Sequence, residues 1–248
     1  MLAIIGGSGM TRLSCLEISH RQIIRTPYGE PSGPLTFGKI KDQDIIFLAR
    51  HGHGHTIPPH AINYRANLWA LHSLKPSHVI AVASVGGIRA DLTPGRLVVP
   101  DQIVDYTYGR NFTYFEGKDQ PVTHIDFTLP YTQQTRALIL QAAGNANEDI
   151  FDGGVYAATQ GPRLETAAEI NRLEYDGADM VGMTGMPETA LAREIGLNYA
   201  TIAVVANYAA GRGTNVKSIP LKEIYAVLEQ AMVGVRNILE HVVNCHGD

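Results

Sequence analysis

Six consecutive residues, Arg50-His51-Gly52-His53-Gly54-His55, concentrate more potential chemistry than any other stretch of this chain. Arginine presents a planar fork of N–H donors matched to phosphate oxygens. Arg50 and His51 together therefore suit an anion. Two other chemistries fit the same residues. His51, His53, His55 and His60 are metal-ligating types, and Arg-His-Gly also opens the motif of histidine-nucleophile phosphatases. A metal would want a carboxylate nearby to orient the imidazoles, and none is adjacent in sequence. The phosphatase motif normally lies on a first strand, whereas here a full element precedes it. A solvated polar turn is the plain structural alternative.

Four further clusters share that donor character. Gly6-Gly7-Ser8-Gly9 lets backbone approach an anion and adds a hydroxyl, although a plain glycine turn reads the same way. It lacks the third glycine and the later acidic residue of a dinucleotide fingerprint, and the Lys-Ser/Thr of a triphosphate loop. Ala83-Ser84-Val85-Gly86-Gly87 is small enough for close ligand approach or for a helix-packing turn. Gly161-Pro162-Arg163-Leu164-Glu165-Thr166 and Gly182-Met183-Thr184-Gly185-Met186-Pro187-Glu188 each lead into a helix. Glu165 can be a ligand reader or a first-turn charge, and Thr184 a cap or an anion donor. Asn207 follows an apolar run and suits either a turn or a ligand.

Positioning these residues requires strands that end together. Short apolar runs, rich in β-branched residues, recur at Ala3–Ile5, Ile45–Ala49, Val79–Ala83, Leu97–Val99, Gly154–Ala158, Met180–Val181 and Tyr199–Ala206. They are apolar on both faces, the pattern of a sheet covered by helices on each side. Helical periodicity lies between them at Asn63–Leu74, Gln133–Ala143, Thr166–Glu174, Pro187–Ile195 and Pro220–Val243. Pro187 and Pro220 suit a first helical turn. Tyr106–Pro130 is polar and aromatic with little periodicity, the signature of a functional excursion. An α/β fold collects ligands at the carboxyl ends of its strands. Ser8, Arg50, His51, Ser84 and Thr184 would then share one crevice. None is a strong nucleophile with its base; all are donors suited to a bound phosphate.

Bulk composition sets limits. The 248 residues are 45% hydrophobic, enough for one substantial core and a single domain spanning 1–248. A net charge of −4 and the absence of a Lys/Arg run offer no field for nucleic acid. The N-terminus has no basic segment before its short apolar run, so neither a signal peptide nor a membrane span is expected. Cys15 and Cys245 alone fit reduced thiols in a cytoplasm.

Taken in order, IIGGSG (4–9), LARHGHGHTIPP (48–59), INYRANLWAL (62–71), PGRLVVPDQIVDYT (94–107), GPRLET (161–166), GADMVGMTGMPETALARE (177–194) and IAVVANY (202–208) resemble the trimeric purine nucleoside phosphorylase and methylthioadenosine phosphorylase family over almost the whole chain. The resemblance implies a three-layer α/β sandwich with a mixed, distorted sheet. It also implies a homotrimer with sites at subunit boundaries, small-molecule substrates only, and no metal or organic cofactor, inorganic phosphate being a co-substrate. Residue by residue, it implies phosphate held by Ser8, Arg50, His51, the Ala83-Ser84 turn and Thr184, with Met183 under the ribose. Leu164 falls where an aromatic residue usually packs on the base. His124 matches a residue lent to the neighbouring subunit's 5′ pocket. Asn207 and His51 are the residues expected to act on the reacting groups.

Substrate choice follows from departures within the resemblance. Adenine-type members carry Asp-Tyr-Asp where this chain has Asn207-Tyr208-Ala209. An amide can donate to a 6-oxo group while accepting from the imidazole side of the leaving base, and Ala209 removes the acceptor an amino group wants. Glu165 stands where oxopurine enzymes have Glu; its carboxylate can accept the ring N–H of hypoxanthine. Oxopurine enzymes place a 5′-hydroxyl-binding His near Ser218-Ile219-Pro220-Leu221, but Ile219 and Leu221 suit a methylthio group instead. The expected substrate is S-methyl-5′-thioinosine. Inosine or guanosine, methylthioadenosine, a binding protein without turnover and a histidine phosphatase are the alternatives.

Overall fold

The computed structural model describes residues 1–10, 13–117, 121–216 and 218–245. In chain order its elements are β1 (Leu2–Gly6), β2 (Glu17–Gln22), β3 (Leu35–Ile40), β4 (Gln43–Ala49), α1 (Tyr64–Ser73), β5 (His78–Gly87), β6 (Leu97–Val99), β7 (Gln102–Asp105), α2 (Gln133–Asn145), β8 (Ile150–Asp152), β9 (Val155–Ala158), α3 (Ala167–Tyr175), β10 (Met180–Gly182), α4 (Gly185–Glu194), β11 (Tyr199–Tyr208) and α5 (Leu221–Cys245). The strands form one mixed, eleven-stranded sheet.

Strand β5 is its spine. Along one run the order is β2-β3-β4-β1-β5-β10-β9-β7, and β11, β6 and β8 branch from the same β5. Its first half is flanked by parallel β1 and β11, while Gly86 and Gly87 at its far end pair antiparallel with β10. A strand paired on both edges and covered on both faces has no solvent side, which is why β1 is buried at every position.

Alternate side chains feed two layers of helices. Ile4, Phe47, Ile80, Val82, Ile202 and Val204 pack in one cluster with residues of α2 and α5. Ala3, Ile5, Ile46, Leu48, Val79 and Ala81 pack in another with residues of α1 and α4. The expected three-layer architecture with a mixed, distorted sheet is therefore present. Helix α5 buries Leu228, Met232, Val235, Leu239 and Val242, an i, i+4, i+7 stripe that covers the sheet.

All seven expected strands and all five expected helices are present, with boundaries shifted by a few residues. Thr166 caps α3 through a reciprocal capping box with Glu169. At the start of α4, Met186 is extended (φ −118, ψ 141), so regular helix begins only at Pro187. Strands β2, β3, β7 and β8 were not expected. All six residues of β2 are exposed, so it carries no apolar signal. The described part of Tyr106–Pro130 contains no strand or helix.

Close approach at the first turn depends on Gly7. A Cβ there would stand 2.5 Å from the Val82 carbonyl oxygen and 2.7 Å from Nη1 of Arg50. Gly144, in α2, has open space around a Cβ. Gly7→Ala should therefore destabilise by about 1–3 kcal/mol, and Gly144→Ala should stabilise by roughly 0.5–1 kcal/mol. Urea midpoints measure both; equal shifts for the two variants would contradict the packing at Gly7.

Candidate active site

The carboxyl ends of β1, β4 and β5 are brought level by register. Gly6 pairs with Ala49, so the Gly7-Ser8 turn and the Arg50-His51 turn lie side by side, and the Arg50 N–H donates to the Gly6 carbonyl at 2.9 Å. Ala83 and Ser84 pair with Ala203 and Val204 of β11. Between Val205 and Asn207 the β5–β11 register slips by one residue. That bulge at Ala206 re-aims the strand end, as bulges beside functional sites do.

These turns enclose a cavity of about 410 Å³. Ser8, Arg50, His51, Ala83, Ser84 and Thr184 line it, together with Leu164, Glu165, Met183, Asn207, Ala209 and Ile219. Twelve of the residues singled out from sequence are thus gathered in one place. Three are not. Tyr208 does not line the cavity; its ring packs over Gly213. Leu221 lines an adjoining depression with Ser218 and Ile219. His124 is exposed on the excursion.

Arg50 is the most constrained side chain there. It is 1% exposed, as is Glu188, and the two form a bidentate ion pair at 2.6 and 2.7 Å. Nη1 also donates to the Val82 carbonyl at 2.8 Å. Burial works against the charge on Arg50, but the Glu188 carboxylate overrides it and raises the pKa. Tyr199 Oη donates to Glu188 Oε1 at 2.8 Å. Three of the five guanidinium protons are thereby occupied, leaving one on each terminal nitrogen. Sequence reading left Glu188 without a role. The signal was an acidic residue one turn beyond Thr184 in an otherwise apolar helix start.

His51 is held on two sides. Its carbonyl accepts from the Thr56 and Ile57 N–H groups, and its Nδ1 lies 2.9 Å from the Ile57 carbonyl oxygen. A carbonyl only accepts, so Nδ1 carries the proton and Nε2 is a bare acceptor. Burial, followed by the Arg50 charge, lowers the His51 pKa to about 4. At neutral pH this ring is uncharged. His55, whose ring centroid is 4.7 Å from that of His51, has Nε2 3.4 Å from the Ser8 hydroxyl. Among the described residues no group of three or more His, Cys, Asp or Glu side chains is placed to hold a metal.

Glu165 Oε1 accepts from the Thr159 hydroxyl at 2.6 Å. Nδ2 of Asn207 donates to the Tyr208 carbonyl at 2.6 Å, which leaves Oδ1 and the second amide proton free to read a ligand. Thr184 sits at the N-cap of α4 without a side-chain cap bond, so its hydroxyl is not spent on the helix. The cavity lining thus combines hydroxyl, guanidinium and imidazole groups with Glu165, Asn207 and apolar side chains that include Met183.

This constellation and this sheet are those of a phosphate-using enzyme family: the chain belongs to the phosphorylase superfamily, which it matches over residues 1–244. Among its relatives is a protein of Pseudomonas syringae pv. tomato named probable S-methyl-5′-thioinosine phosphorylase, 49% identical over 98% of each chain. Another is the 6-oxopurine nucleoside phosphorylase of Pyrococcus furiosus, 46% identical over 85% of this chain and 80% of its own. Of solved structures, methylthioadenosine phosphorylase from Schistosoma mansoni in complex with adenine superposes with a TM-score of 0.94 at 34% identity, covering 99% of this chain and 91% of that one.

The buried neutral His51 has a consequence for stability. Unfolded, it takes a proton near its ordinary 6.5; folded, only near about 4. The unfolded chain binds more protons in that window, so stability falls as pH drops from 6.5 toward 4, by on the order of 2–3 kcal/mol from this group. His51→Gln should melt with a smaller loss of Tm between pH 7 and pH 4.5 than the parent. An identical loss would mean that the ring is not buried uncharged.

Proposed function

We propose that this protein, as one nucleoside phosphorylase domain, catalyses phosphorolysis of S-methyl-5′-thioinosine, giving hypoxanthine and 5-methylthioribose 1-phosphate. The carrying observation is the cavity itself, whose lining combines anion donors with Glu165 and Asn207. In the reaction a phosphate oxygen bonds to C1′ as the C1′–N9 bond breaks, and the electron pair leaves with the base. The ribose passes through an oxocarbenium-like state between the phosphate dianion, which gives up charge as its bond forms, and the base, which gains negative charge and takes up a proton from solvent to leave as hypoxanthine. Catalysis then lies in holding phosphate beside C1′ and hydrogen-bonding the departing purine.

Ser8, Thr184, the Ala83-Ser84 backbone and the unoccupied protons of Arg50 hold the phosphate. His51, with a bare Nε2, accepts from a ribose hydroxyl or a protonated phosphate oxygen. Met183 underlies the ribose. Asn207 stabilises the imidazole side of the leaving base, and Glu165 accepts the ring N–H that hypoxanthine has and neutral adenine lacks. Leu164 and Ala209 complete the base pocket beside Tyr208. Ile219 faces the cavity and Leu221 the adjoining depression. Both are apolar, which favours a methylthio group over a hydroxyl. The relatives named for methylthioinosine and for 6-oxopurines support this pocket chemistry, and the methylthioadenosine phosphorylase fold supports the 5′ end.

The same reading makes the protein a cytoplasmic homotrimer in purine salvage, with His124 completing a neighbour's 5′ pocket. No helix among the described residues is long and apolar enough to cross a membrane. Inorganic phosphate is a co-substrate, and no metal or organic cofactor takes part; activity should survive chelator treatment, and a loss restored by zinc would overturn this. Light scattering should give a trimer or a multiple of it, against which a fully active monomer would count.

Specificity constants for methylthioinosine, methylthioadenosine, inosine and adenosine test the substrate directly. The parent should prefer methylthioinosine. Asn207→Asp with Ala209→Asp and Glu165→Ser should shift preference toward methylthioadenosine, since hydrogen-bond mismatch discriminates by up to about 10⁴–10⁵. Ile219→His should improve inosine by a smaller factor, roughly 10²-fold at most. A parent that already prefers methylthioadenosine would show the base pocket to be misread.

A further inference from the structure

Arg110, on the irregular 106–130 segment, is 8% exposed and does not line the cavity. Its Nη1 donates to the carbonyls of Met183 and Met186 at 2.8 and 2.6 Å, and reaches Tyr64 Oη at 3.3 Å. Nη2 donates to the carbonyls of Thr159 and Gln160 at 3.2 and 2.8 Å, and Nε to the Gln160 side chain at 3.1 Å. The Tyr64 ring lies below the guanidinium, 5.6 Å from its carbon. Every one of these acceptors is neutral.

That sets Arg110 apart from Arg50, whose charge is cancelled by a buried carboxylate. A cation in a low-dielectric interior is costly unless hydrogen-bonded throughout, and here neutral dipoles, four backbone carbonyls with the Gln160 side chain and the Tyr64 hydroxyl, supply the bonds. The carbonyls belong to two turns. One, Thr159–Gln160, leads into the wall that carries Leu164 and Glu165. The other, Met183–Met186, contains Thr184. The Met183 carbonyl and the Thr184 N–H share one peptide, whose N–H donates to the buried Tyr156 hydroxyl at 3.4 Å, so the guanidinium fixes the carbonyl side of the unit that carries Thr184.

We propose that Arg110 is the positioning residue of the site: its fork locks the base-reading wall to the phosphate-holding turn, and its uncancelled charge contributes to holding the phosphate dianion. This rests on the phosphorolytic reading of the cavity. With the Arg50–Glu188 pair neutral and His51 uncharged, Arg110 is a cation braced directly against that turn without a carboxylate among its partners.

The test compares Arg110→Ala and Arg110→Lys with the parent, using methylthioinosine and phosphate. Arg110→Ala should raise the phosphate KM and lower kcat, each by about tenfold or more, as expected for lost charge-assisted bonds. Arg110→Lys keeps charge but cannot span two turns, so kcat should fall while the phosphate KM moves less. Guanidinium ion at millimolar concentration should restore Arg110→Ala and leave Arg110→Lys unchanged. A folded Arg110→Ala with the parent's kcat and phosphate KM, or with a loss confined to thermal stability, would overturn the proposal. If that variant does not fold, Arg110→Lys decides, and parental kcat in it has the same force. A parent that turns over no nucleoside would instead sink the phosphorolytic reading. Calorimetry with inorganic phosphate would then judge Arg110 by itself, weaker binding to the variants upholding the role and equal binding ending it.

Discussion

The ion pair between Arg50 and Glu188 constrains more of this structure than any other contact. Both groups are shut away from water, and removing either leaves a buried charge that costs roughly 3–5 kcal/mol. Meeting that demand fixes β4 against α4, the Val82 carbonyl under Nη1 and the Tyr199 hydroxyl against the carboxylate. It also excludes a side chain at Gly7, whose Cβ would collide with the guanidinium. The donors around Arg50 inherit their geometry from these contacts. The same pairing cancels the net charge of Arg50, so what it still offers the cavity is its two unoccupied N–H protons and not a free charge.

The residues lining the cavity differ in how they are held. Ser8, Arg50, His51 and Ser84 grow directly from paired strand termini and from a loop tied to itself around His51. Leu164, Glu165 and Ile219 lie on connecting segments with greater exposure, Leu164 being 38% accessible. A phosphate is the same molecule for every substrate, whereas base and 5′ substituent vary. It is physically economical that the invariant partner meets the stiffer set.

Much of this was legible from sequence because two-sided burial writes itself as continuous β-branched runs; β1, β4, β5 and β11 were found that way. Strand β2 was invisible because all six of its residues are exposed. The donors at strand ends were recognisable by residue type and position, and the cavity gathers them. Glu188 carries only the faint mark of an acid in an apolar helix start, and Arg110 carries none. Their roles depend on partners 138 positions away for Glu188 and on four carbonyls for Arg110. Backbone carbonyls leave no trace in residue identity. Likewise, the one-residue slip at Ala206 has no sequence mark, since an alanine inside an apolar strand looks like any other.

That slip separates what must be conserved from what is open to change. Up to Val205, β11 is locked in ladder with β5, and an altered residue disturbs the central sheet. Beyond Ala206 the ladder resumes one residue out of step, with Asn207 opposite Gly86 and Tyr208 opposite Gly87, and the Ala209 N–H still donates to the Gly87 carbonyl; Asn207 is half-buried and lines the cavity. A lineage can therefore change what Asn207 offers a ligand by point mutation at a half-buried position, whereas a change at the core-packed Ala209 must be absorbed by its neighbours. One scaffold can supply descendants with different diets.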